Sequence, residues 1–197
     1  DDAYGGSLEN RMRFAVEVGA AVRAEWPQDK PVFFRLSAVD GKGGSWRLPD
    51  SIALAKALRA VDIDVVDVSS GGVTGSSEMP MVPRIPAYQA SFSGRIRHEA
   101  NIKTVAVGGI TTAKQAEDIL QAGDADIIAM ARELLWNADW PAHAAEALGV
   151  DDPFSYLPTG YAHRLRLREA QKTMDINQDQ DLIAKSLRYF LDDSASS

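Results

Sequence analysis

The sequence contains no cysteine among its 197 residues. Disulfide bonds and thiolate metal sites are therefore excluded, and we expect a cytoplasmic protein. No apolar run approaches the roughly 20 residues that a membrane-spanning helix needs, so we expect no membrane partner. Acidic residues outnumber basic ones by 28 to 21, and the formal net charge is −7. This excess argues against nucleic acid and against an anionic membrane surface as partners.

The first residues also lack the features of a protein start. There is no initiator methionine, and Asp1–Gly6 has neither the basic nor the apolar region of a signal peptide. The segment is typical of the middle of a loop. We therefore expect the sequence to begin inside a longer protein.

What is present is a regular alternation of helical and strand patterns. Ser7 is a typical N-cap residue for a helix over Leu8–Trp26. Strands are predicted at Pro31–Ser37, Asp64–Ser69, Thr104–Val107 and Ala125–Ala131, and further helices at Ser51–Ala60, Tyr88–Ala100, Thr112–Ala122, Arg132–Leu135 and Asp139–Leu148. Repeated βα units predict an α/β fold with a parallel sheet. A closed barrel needs eight strands and about 250 residues, so the pattern alone leaves a truncated barrel and a small flavodoxin-like sheet as alternatives.

The chain is expected to divide into two segments. Residues 1–150 carry the βα units, and residues 151–197 form an irregular tail with one amphipathic helix at about Asp181–Leu191. Before that helix, Asp175–Asp181 resembles the start of a calcium loop, but Gln180 replaces the required glycine. We therefore expect no metal site.

The segment Tyr4–Phe14, Tyr-Gly-Gly-Ser-Leu-Glu-Asn-Arg-Met-Arg-Phe, resembles the one that follows strand four in old yellow enzyme–type NAD(P)H:flavin oxidoreductases. Further matches occur in the order expected for that family: Phe34–Ser37 on strand five, Tyr88–Gln89 after strand six as in the bacterial branch, Val107–Ile110 after strand seven, and Ala131–Leu134 after strand eight. The resemblance covers roughly Asp1 to Leu148.

The resemblance implies the C-terminal half, strands five to eight, of a TIM (β/α)8 barrel, followed by an irregular, helical tail. It implies a flavoprotein of the NADPH dehydrogenase type, with FMN at the C-terminal mouth of the barrel and NAD(P)H as reductant. The reduced flavin would pass a hydride to an activated alkene, an α,β-unsaturated carbonyl compound, in an ene-reductase reaction. The family's proton donor and carbonyl-binding residues precede Asp1, so no catalytic residue is assigned. We expect the isolated chain to be inactive.

Arg35 is the residue that the resemblance places beside the flavin. Period-2 alternation puts it with Phe33 and Ser37, on the side of the strand opposite Val32, Phe34 and Leu36. A fixed guanidinium near N1 and O2 would favour the negatively charged reduced flavin. The alternative is a structural salt bridge to Asp67 on the next strand.

A phosphate site is predicted after the last two strands. Glycines at 108 and 109, followed by Ile110, let backbone N–H groups approach a phosphate, and barrels often bind phosphate between the loops after strands seven and eight. The resemblance adds Ala131, which stands where glycine is frequent, and Arg132. The alternatives are an ordinary tight turn for the glycines, and for Arg132 an ion pair with Glu133 or Asp139.

Two other functions stay open at this stage. One is a catalytically silent half-barrel that acts as a structural or assembly module, because a half-barrel leaves two strand edges unpaired. The other is a different flavin barrel, of a dihydroorotate- or glycolate-oxidising type, which shares the phosphate site but not the Tyr4–Phe14 segment. In each case we expect a small-molecule substrate for the parent protein, and as partner of this chain either a second copy or the missing N-terminal half.

Overall fold

The computed structural model describes residues 2–72, 80–172 and 182–188, and in these parts four strands alternate with helices. The strands are β1 (Phe33–Ser37), β2 (Val65–Ser69), β3 (Lys103–Val107) and β4 (Ile127–Ala129). The helices are α1 (Leu8–Glu25), α2 (Leu48–Ala60), α3 (Ala90–Ala100), α4 (Ala113–Gln121), α5 (Arg132–Trp136), α6 (Trp140–Ala147) and α7 (Thr159–Lys172). A 3-10 helix covers Pro153–Tyr156, and residues 182–188 are helical.

The strands form a parallel sheet in which strand order follows chain order, β1-β2-β3-β4. The register aligns Arg35 with Asp67 and Val105, and Val107 with Ala129. The predicted α/β fold with a parallel sheet is thereby confirmed. The observed order differs from the flavodoxin-like order, in which the winding direction reverses inside the sheet.

One face of this sheet carries the apolar core. Leu36, Val66, Val68 and Ala106 alternate onto it and are at most 8% exposed. They belong to two clusters of buried residues whose helical members include Ile52, Leu58, Ile96, Ala116 and Ile119. Phe33 lies on the other face and is 50% exposed. The period-2 division predicted for β1 is therefore confirmed, and the helices cover the face that carries Leu36.

Helix starts follow the local sequence. The Ser7 side chain accepts a hydrogen bond from the Asn10 N–H (3.2 Å), so the predicted N-cap of α1 is confirmed. Helix α2 begins at Leu48, earlier than predicted, because Pro49 fits the first turn of a helix and the Asp50 carboxylate accepts the Arg47 N–H (2.9 Å).

Strand β4 is shorter than the predicted Ala125–Ala131. It pairs with β3 from Ile127 to Ala129. The ladder ends there because β3 ends at Val107, after which Gly108 turns the chain with a φ of 107°. An edge strand extends only as far as its neighbour offers backbone partners.

An arginine–aspartate tie fixes the amino-terminal edge of the first two strands. The Asp64 carboxylate, directly before β2, accepts hydrogen bonds from the Val32 N–H (2.7 Å) and from the Arg23 guanidinium (3.4 Å). Arg23 is 7% exposed and also donates to the carbonyls of Lys30, Trp26 and Pro27. One buried cation thus joins the end of α1 to the starts of β1 and β2.

A second tie repeats this arrangement at β3 and β4. The Asp126 carboxylate, directly before β4, accepts the Thr104 N–H (2.9 Å) and two hydrogen bonds from Arg97 (2.9 and 3.0 Å). Arg97 lies near the end of α3, the helix that precedes β3. The Arg97 hydrogen bonds are the largest cause that holds the pKa of Asp126 below its ordinary value, and the Thr104 N–H acts in the same direction.

The chain splits into two compact units, Asp1–Trp140 and Pro141–Ser197. The first contains the sheet. The second contains the 3-10 helix, α7 and the helical residues 182–188, and Arg166 of α7 binds the Asp152 carboxylate (2.6 and 3.2 Å). Residues 182–188 confirm the central part of the helix predicted at Asp181–Leu191. The rest of that helix and the calcium-like segment Asp175–Asp181 lie outside the described residues.

Helix α7 was not predicted, and the tail therefore contains more than the one helix expected. In α7, Ala162 is buried while most other residues are exposed, so the segment has no apolar stripe for periodicity to detect. From Arg164 onward its residues are strong helix formers, and Lys172 binds Glu169 one turn earlier (2.7 Å). The helix follows from propensity and local pairing. The division at residue 150 stays a prediction.

We predict that Asp126→Asn lowers the free energy of unfolding by about 2 kcal/mol at pH 7, because Arg97 loses its charged partner. The pKa of Asp126 is lowered in the folded state, so its contribution is present above the ordinary aspartate value of 3.8 and is lost as the pH falls through the lower folded value. Urea unfolding at pH 7 and at decreasing pH below 4 measures both effects. The control is Asp118→Asn, which breaks an exposed pair with Lys114 and should cost less than about 1 kcal/mol. Equal losses in the two variants would contradict the role of the tie.

Candidate functional site

A cavity of about 380 Å³ lies at the carboxyl ends of β3 and β4. We call it the glycine cavity. It is lined by Val107, Gly108, Gly109, Ile110, Thr111, Ala129, Met130, Ala131, Arg132 and Glu133. The five residues predicted to contact phosphate, Gly108, Gly109, Ile110, Ala131 and Arg132, are all among them. They meet because the parallel register places Val107 beside Ala129, so the two strands end at the same edge.

The backbone after β3 offers hydrogen-bond donors to this cavity. Gly108 and Gly109 have φ angles of 107° and 68°. Within the described part of the chain, no acceptor is bonded to the N–H groups of Gly108, Gly109 or Ile110. The Ile110 side chain is 4% exposed and packs in a core cluster, which anchors the segment. Successive N–H groups in a turn of this kind favour an anion.

Glycine is required here by packing as well as by φ. A Cβ on Gly108 would lie 2.4 Å from Gln89 Nε2 and 2.9 Å from Tyr88 Cε1. A Cβ on Gly109 would lie 3.0 Å from the Ile85 carbonyl oxygen. The segment before α3 therefore presses against the glycines. The sequence led us to expect a phosphate approach or an ordinary tight turn at these glycines, and neither expectation included this packing constraint.

The start of α4 offers fewer available N–H donors to the glycine cavity than its position suggests. Thr112 and Gln115 form a capping box in which Gln115 Oε1 accepts the N–H groups of Thr111 (3.1 Å) and Thr112 (3.2 Å), and Thr112 Oγ1 accepts the Gln115 N–H (3.2 Å). The Trp140 indole N–H holds the Thr111 carbonyl (2.9 Å). Donors at this helix terminus are thus partly occupied, and the available N–H groups are those of 108–110.

Arg132 begins α5 and lines the glycine cavity. In the described part of the chain its guanidinium has no ion-pair or hydrogen-bond partner, so neither pairing considered from the sequence, with Glu133 or Asp139, is present. Glu133 lines the same cavity and contributes the opposite charge. An arginine without a carboxylate partner beside available N–H groups fits a phosphate.

Arg35 lies on the uncovered face of the sheet and is not among the residues that line the glycine cavity. Its Nη1 donates to Asp67 Oδ2 (2.8 Å), and the two side chains are 58% and 20% exposed. The salt bridge considered as the alternative is therefore present. Asp67 Oδ1 is buried and, among the described residues, has no donor. The proposed contact between Arg35 and flavin stays a prediction. In the described part of the chain, the other guanidinium N–H groups of Arg35 have no acceptor and are available for it.

Gln89 was not among the predicted site residues, yet it holds the strand ends together. It is 3% exposed, its Nε2 donates to the Val107 carbonyl (2.7 Å), and its Oε1 accepts the Ser70 hydroxyl (2.7 Å). Gln89 thus joins the ends of β2 and β3 next to Gly108. The signal in the sequence was the match of Tyr88–Gln89 to the bacterial branch, since propensities do not identify a buried amide.

The described residues contain no helix that combines the length and the apolar character needed to cross a membrane. They also contain no group of three or more histidine, aspartate or glutamate side chains arranged to hold a metal ion.

A family model described as the NADH:flavin oxidoreductase / NADH oxidase family matches residues 1–150. An NADPH dehydrogenase of Halalkalibacterium halodurans is 46% identical over 157 residues, which are 79% of this chain and 45% of that protein. An NADPH dehydrogenase of Geobacillus sp. is 47% identical over 150 residues, 76% of this chain and 42% of that protein. The chain thus spans less than half the length of these relatives.

A solved structure also matches this chain over only part of its own length. The structure of a 2-naphthoyl-CoA reductase in complex with 2-naphthoyl-CoA superposes with a TM-score of 0.62 at 25% sequence identity. The match covers 75% of this chain and 23% of that one. The similarity therefore concerns a part of a larger enzyme.

We predict that Gly108→Ala lowers the free energy of unfolding by about 2 kcal/mol or more, through backbone strain and through contact with Gln89, whose side chain is held at both ends. Urea unfolding measures the loss. Gly149→Ala is the matched control, because Gly149 has a φ of 75° and a Cβ there would meet no atom within 4 Å. It should cost about 1 kcal/mol, for strain alone. Equal costs would show that Gln89 does not set the glycine requirement.

Proposed function

Because the chain belongs to the NADH:flavin oxidoreductase / NADH oxidase family, we propose that it supplies the phosphate contacts and the N1/O2 contact of an FMN-dependent NAD(P)H oxidoreductase. The resemblance found in the sequence is confirmed at the level of the family, and FMN with NAD(P)H is the cofactor set that membership implies. Localisation in the cytoplasm stays a prediction.

The observation that carries the proposal is the glycine cavity. It combines the available N–H groups of residues 108–110 with Arg132, and these suit the dianionic phosphate of FMN. When bound, FMN supplies the hydride chemistry between NAD(P)H and the substrate. The backbone of residues 108–110 and 131 would hold the phosphate, and Arg132 would balance its charge.

Arg35 would act at the other end of the cofactor. Its guanidinium is fixed by Asp67 (2.8 Å) and retains free donors, so it can orient the N1 and O2 side of the flavin ring and stabilise negative charge there. The Asp67 carboxylate would hold Arg35 in place and moderate its field. For the parent protein we propose the substrate class implied by the resemblance, an α,β-unsaturated carbonyl compound. The similar solved reductase holds a CoA thioester, which is one member of the wider class of activated carbonyl substrates.

We further propose that the sheet is one half of a (β/α)8 barrel, with residues 1–150 as the half-barrel and 151–197 as its tail. Supporting this are the parallel strands in chain order and the helices that cover one face of the sheet. In a closed barrel the uncovered face, with Phe33 and Arg35, would be the interior. The groups that bind the substrate carbonyl and donate the proton would come from the part of the relatives that this chain does not span.

The edge of β1 carries an apolar surface that fits a further strand. We call it the α1 stripe, formed by Phe14 (66% exposed), Val18 (39%) and Val22 (46%). A groove of about 200 Å³ between α1 and β1 is lined by Val18, Val22 and Phe33, among others. The opposite edge exposes Ile127 (40%) and Leu135 (87%). Exposed apolar residues at both edges favour a partner that continues the sheet.

The missing half fits these edges better than a second copy does. In a (β/α)8 barrel the helix that follows a strand packs between that strand and the next. In a ring of two copies, α1 of one copy and the helical segment after β4 of the other would both occupy that position. If the other half of the barrel ends in a strand, it brings no helix of its own to the position between that strand and β1. Helix α1 can then fill this position without competition. Assembly without catalysis remains the second candidate function, and the same exposed edges favour it.

We predict that the chain binds FMN with micromolar affinity, measured by quenching of flavin fluorescence. Arg132→Ala should weaken FMN binding about tenfold or more but leave riboflavin binding unchanged, because riboflavin lacks the phosphate. Arg35→Ala should weaken binding of both flavins. Arg59→Ala on α2 removes an equal charge from an exposed position outside the cavity and is the control. Loss of riboflavin binding in Arg132→Ala would contradict the phosphate assignment.

We also predict that the part of the Halalkalibacterium halodurans relative that lies outside the match forms a 1:1 complex with this chain in sedimentation experiments. Phe14→Ser with Val22→Ser should abolish the complex, because both remove apolar contacts from the α1 stripe. The control is Tyr156→Ser, which changes an exposed aromatic residue of the second unit. A stable homodimer that excludes the added half would favour the assembly function.

A further inference from the structure

A second cavity, of about 320 Å³, lies at the carboxyl ends of β1 and β2. We call it the cationic cavity. Its walls are the loop after β1 at 40–42, the turn after β2 at 70–72, and the segment before α3 at 81–88. It opens at the same edge of the sheet as the glycine cavity, because all four strands are parallel. Its volume lies within the range of about 300–1,000 Å³ that is usual for ligand pockets.

Lys42 and Arg84 line the cationic cavity. In the part of the chain that the structure describes, neither Lys42 nor Arg84 forms an ion pair or a side-chain hydrogen bond. Asp40 is the acidic residue of the lining, and its Oδ2 is occupied by the N–H groups of Ser45 (3.1 Å) and Trp46 (3.0 Å). Among the described residues the lining therefore carries two cations against one carboxylate, and in a chain of net charge −7 this local excess of positive charge favours an anionic ligand.

The walls of this cavity are held in place by the fold. The Gly71 N–H donates to the Val39 carbonyl (2.7 Å), which joins the two loops. Gly41 has a φ of 71°, and a Cβ there would lie 3.1 Å from Val82 Cγ2, so loop and segment are in close contact. Ser70 is bound to Gln89 (2.7 Å). These contacts therefore fix the positions of the loop that carries Lys42 and of the segment that carries Arg84.

The remaining lining suits a nucleoside. Met81, Val82 and the half-buried Tyr88 provide apolar and aromatic surface beside the two cations. A flat base packs on such surface, and a phosphomonoester dianion accepts hydrogen bonds from Lys and Arg together. Neighbouring strands are about 4.8 Å apart, so the two cavities are separated by roughly two strand spacings, or about 10 Å. A nucleotide in the cationic cavity would therefore leave the glycine cavity free for the FMN phosphate.

We propose that the cationic cavity binds the adenosine bisphosphate end of a nucleotide, with Lys42 and Arg84 on its phosphomonoester. Two ligands share this chemistry: NADPH, with a 2′-phosphate, and a CoA thioester, with a 3′-phosphate. The inference rests on the proposed function, which requires a nucleotide reductant beside FMN. It adds a preference for NADPH over NADH, because NADH has no phosphomonoester that Lys42 and Arg84 could bind.

The test measures binding of adenosine 2′,5′-bisphosphate, adenosine 3′,5′-bisphosphate and 5′-AMP to the full chain by calorimetry. One bisphosphate should bind at least about tenfold more tightly than 5′-AMP. Lys42→Ala and Arg84→Ala should each remove most of that advantage and leave 5′-AMP unaffected. Preference for the 2′,5′ compound identifies NADPH as the source, and preference for the 3′,5′ compound identifies a CoA thioester.

The control removes the same charge from exposed positions of α2 outside the cavity, by Lys56→Ala and Arg59→Ala. Equal affinity for 5′-AMP and both bisphosphates, or equal losses in the control variants, would overturn the inference. FMN binding is measured on the same proteins and should not change in Lys42→Ala or Arg84→Ala. FMN binding without bisphosphate discrimination would reject the cationic cavity and leave the proposed function standing. Discrimination between the bisphosphates and 5′-AMP without FMN binding would reject the proposed function and leave the nucleotide site in the cationic cavity standing.

Discussion

The parallel course of four strands that follow one another in chain order is the constraint on which the other features depend. Parallel strands end at one edge of the sheet, so every βα loop lies there, including the loops that form both cavities. Crossovers of one hand then place the helices over one face. The other face keeps Arg35 and Asp67 together in register. Position in the chain thus determines which residues can meet a ligand.

The segment before α3 connects the two cavities. Tyr88 lines the cationic cavity, while its neighbour Gln89 binds both Ser70 and the Val107 carbonyl beside the glycines. The same segment leaves no room for a side chain at Gly108 or Gly109. A change in this segment therefore alters two loops together, and the glycines serve the packing of the edge as well as any phosphate.

The sequence predicted the elements that have a clear period and the site residues that belong to short motifs. Alternation in Phe33–Ser37 assigned both faces of β1, and the motif residues 108–110 and 131–132 meet in one cavity. Helix α7 was not predicted because its stability comes from propensity rather than from an apolar stripe. The role of Gln89 was not predicted because it depends on partners far apart in the chain.

The α1 stripe shows a different limit of sequence analysis. Phe14, Val18 and Val22 recur at helical spacing within α1, yet these side chains are exposed in this chain. Spacing identifies an apolar face but not what covers it. The Arg35–Asp67 pair is similar, since the pattern allowed either an ion pair or a ligand contact and the structure contains the ion pair.

The two arginine–aspartate ties recur with a period of two strands. Arg23 and Asp64 bracket the stretch from α1 to β2, and Arg97 and Asp126 bracket the stretch from α3 to β4. The chain is in this respect built from two αβαβ modules, each closed by its own buried or half-buried cation. Recombination or circular permutation with a breakpoint between Ser69 and Ala90 would keep both modules whole. A breakpoint inside α2 or α4 would separate an aspartate from its arginine. The alternation of helices and strands alone does not distinguish such a breakpoint from one between Ser69 and Ala90.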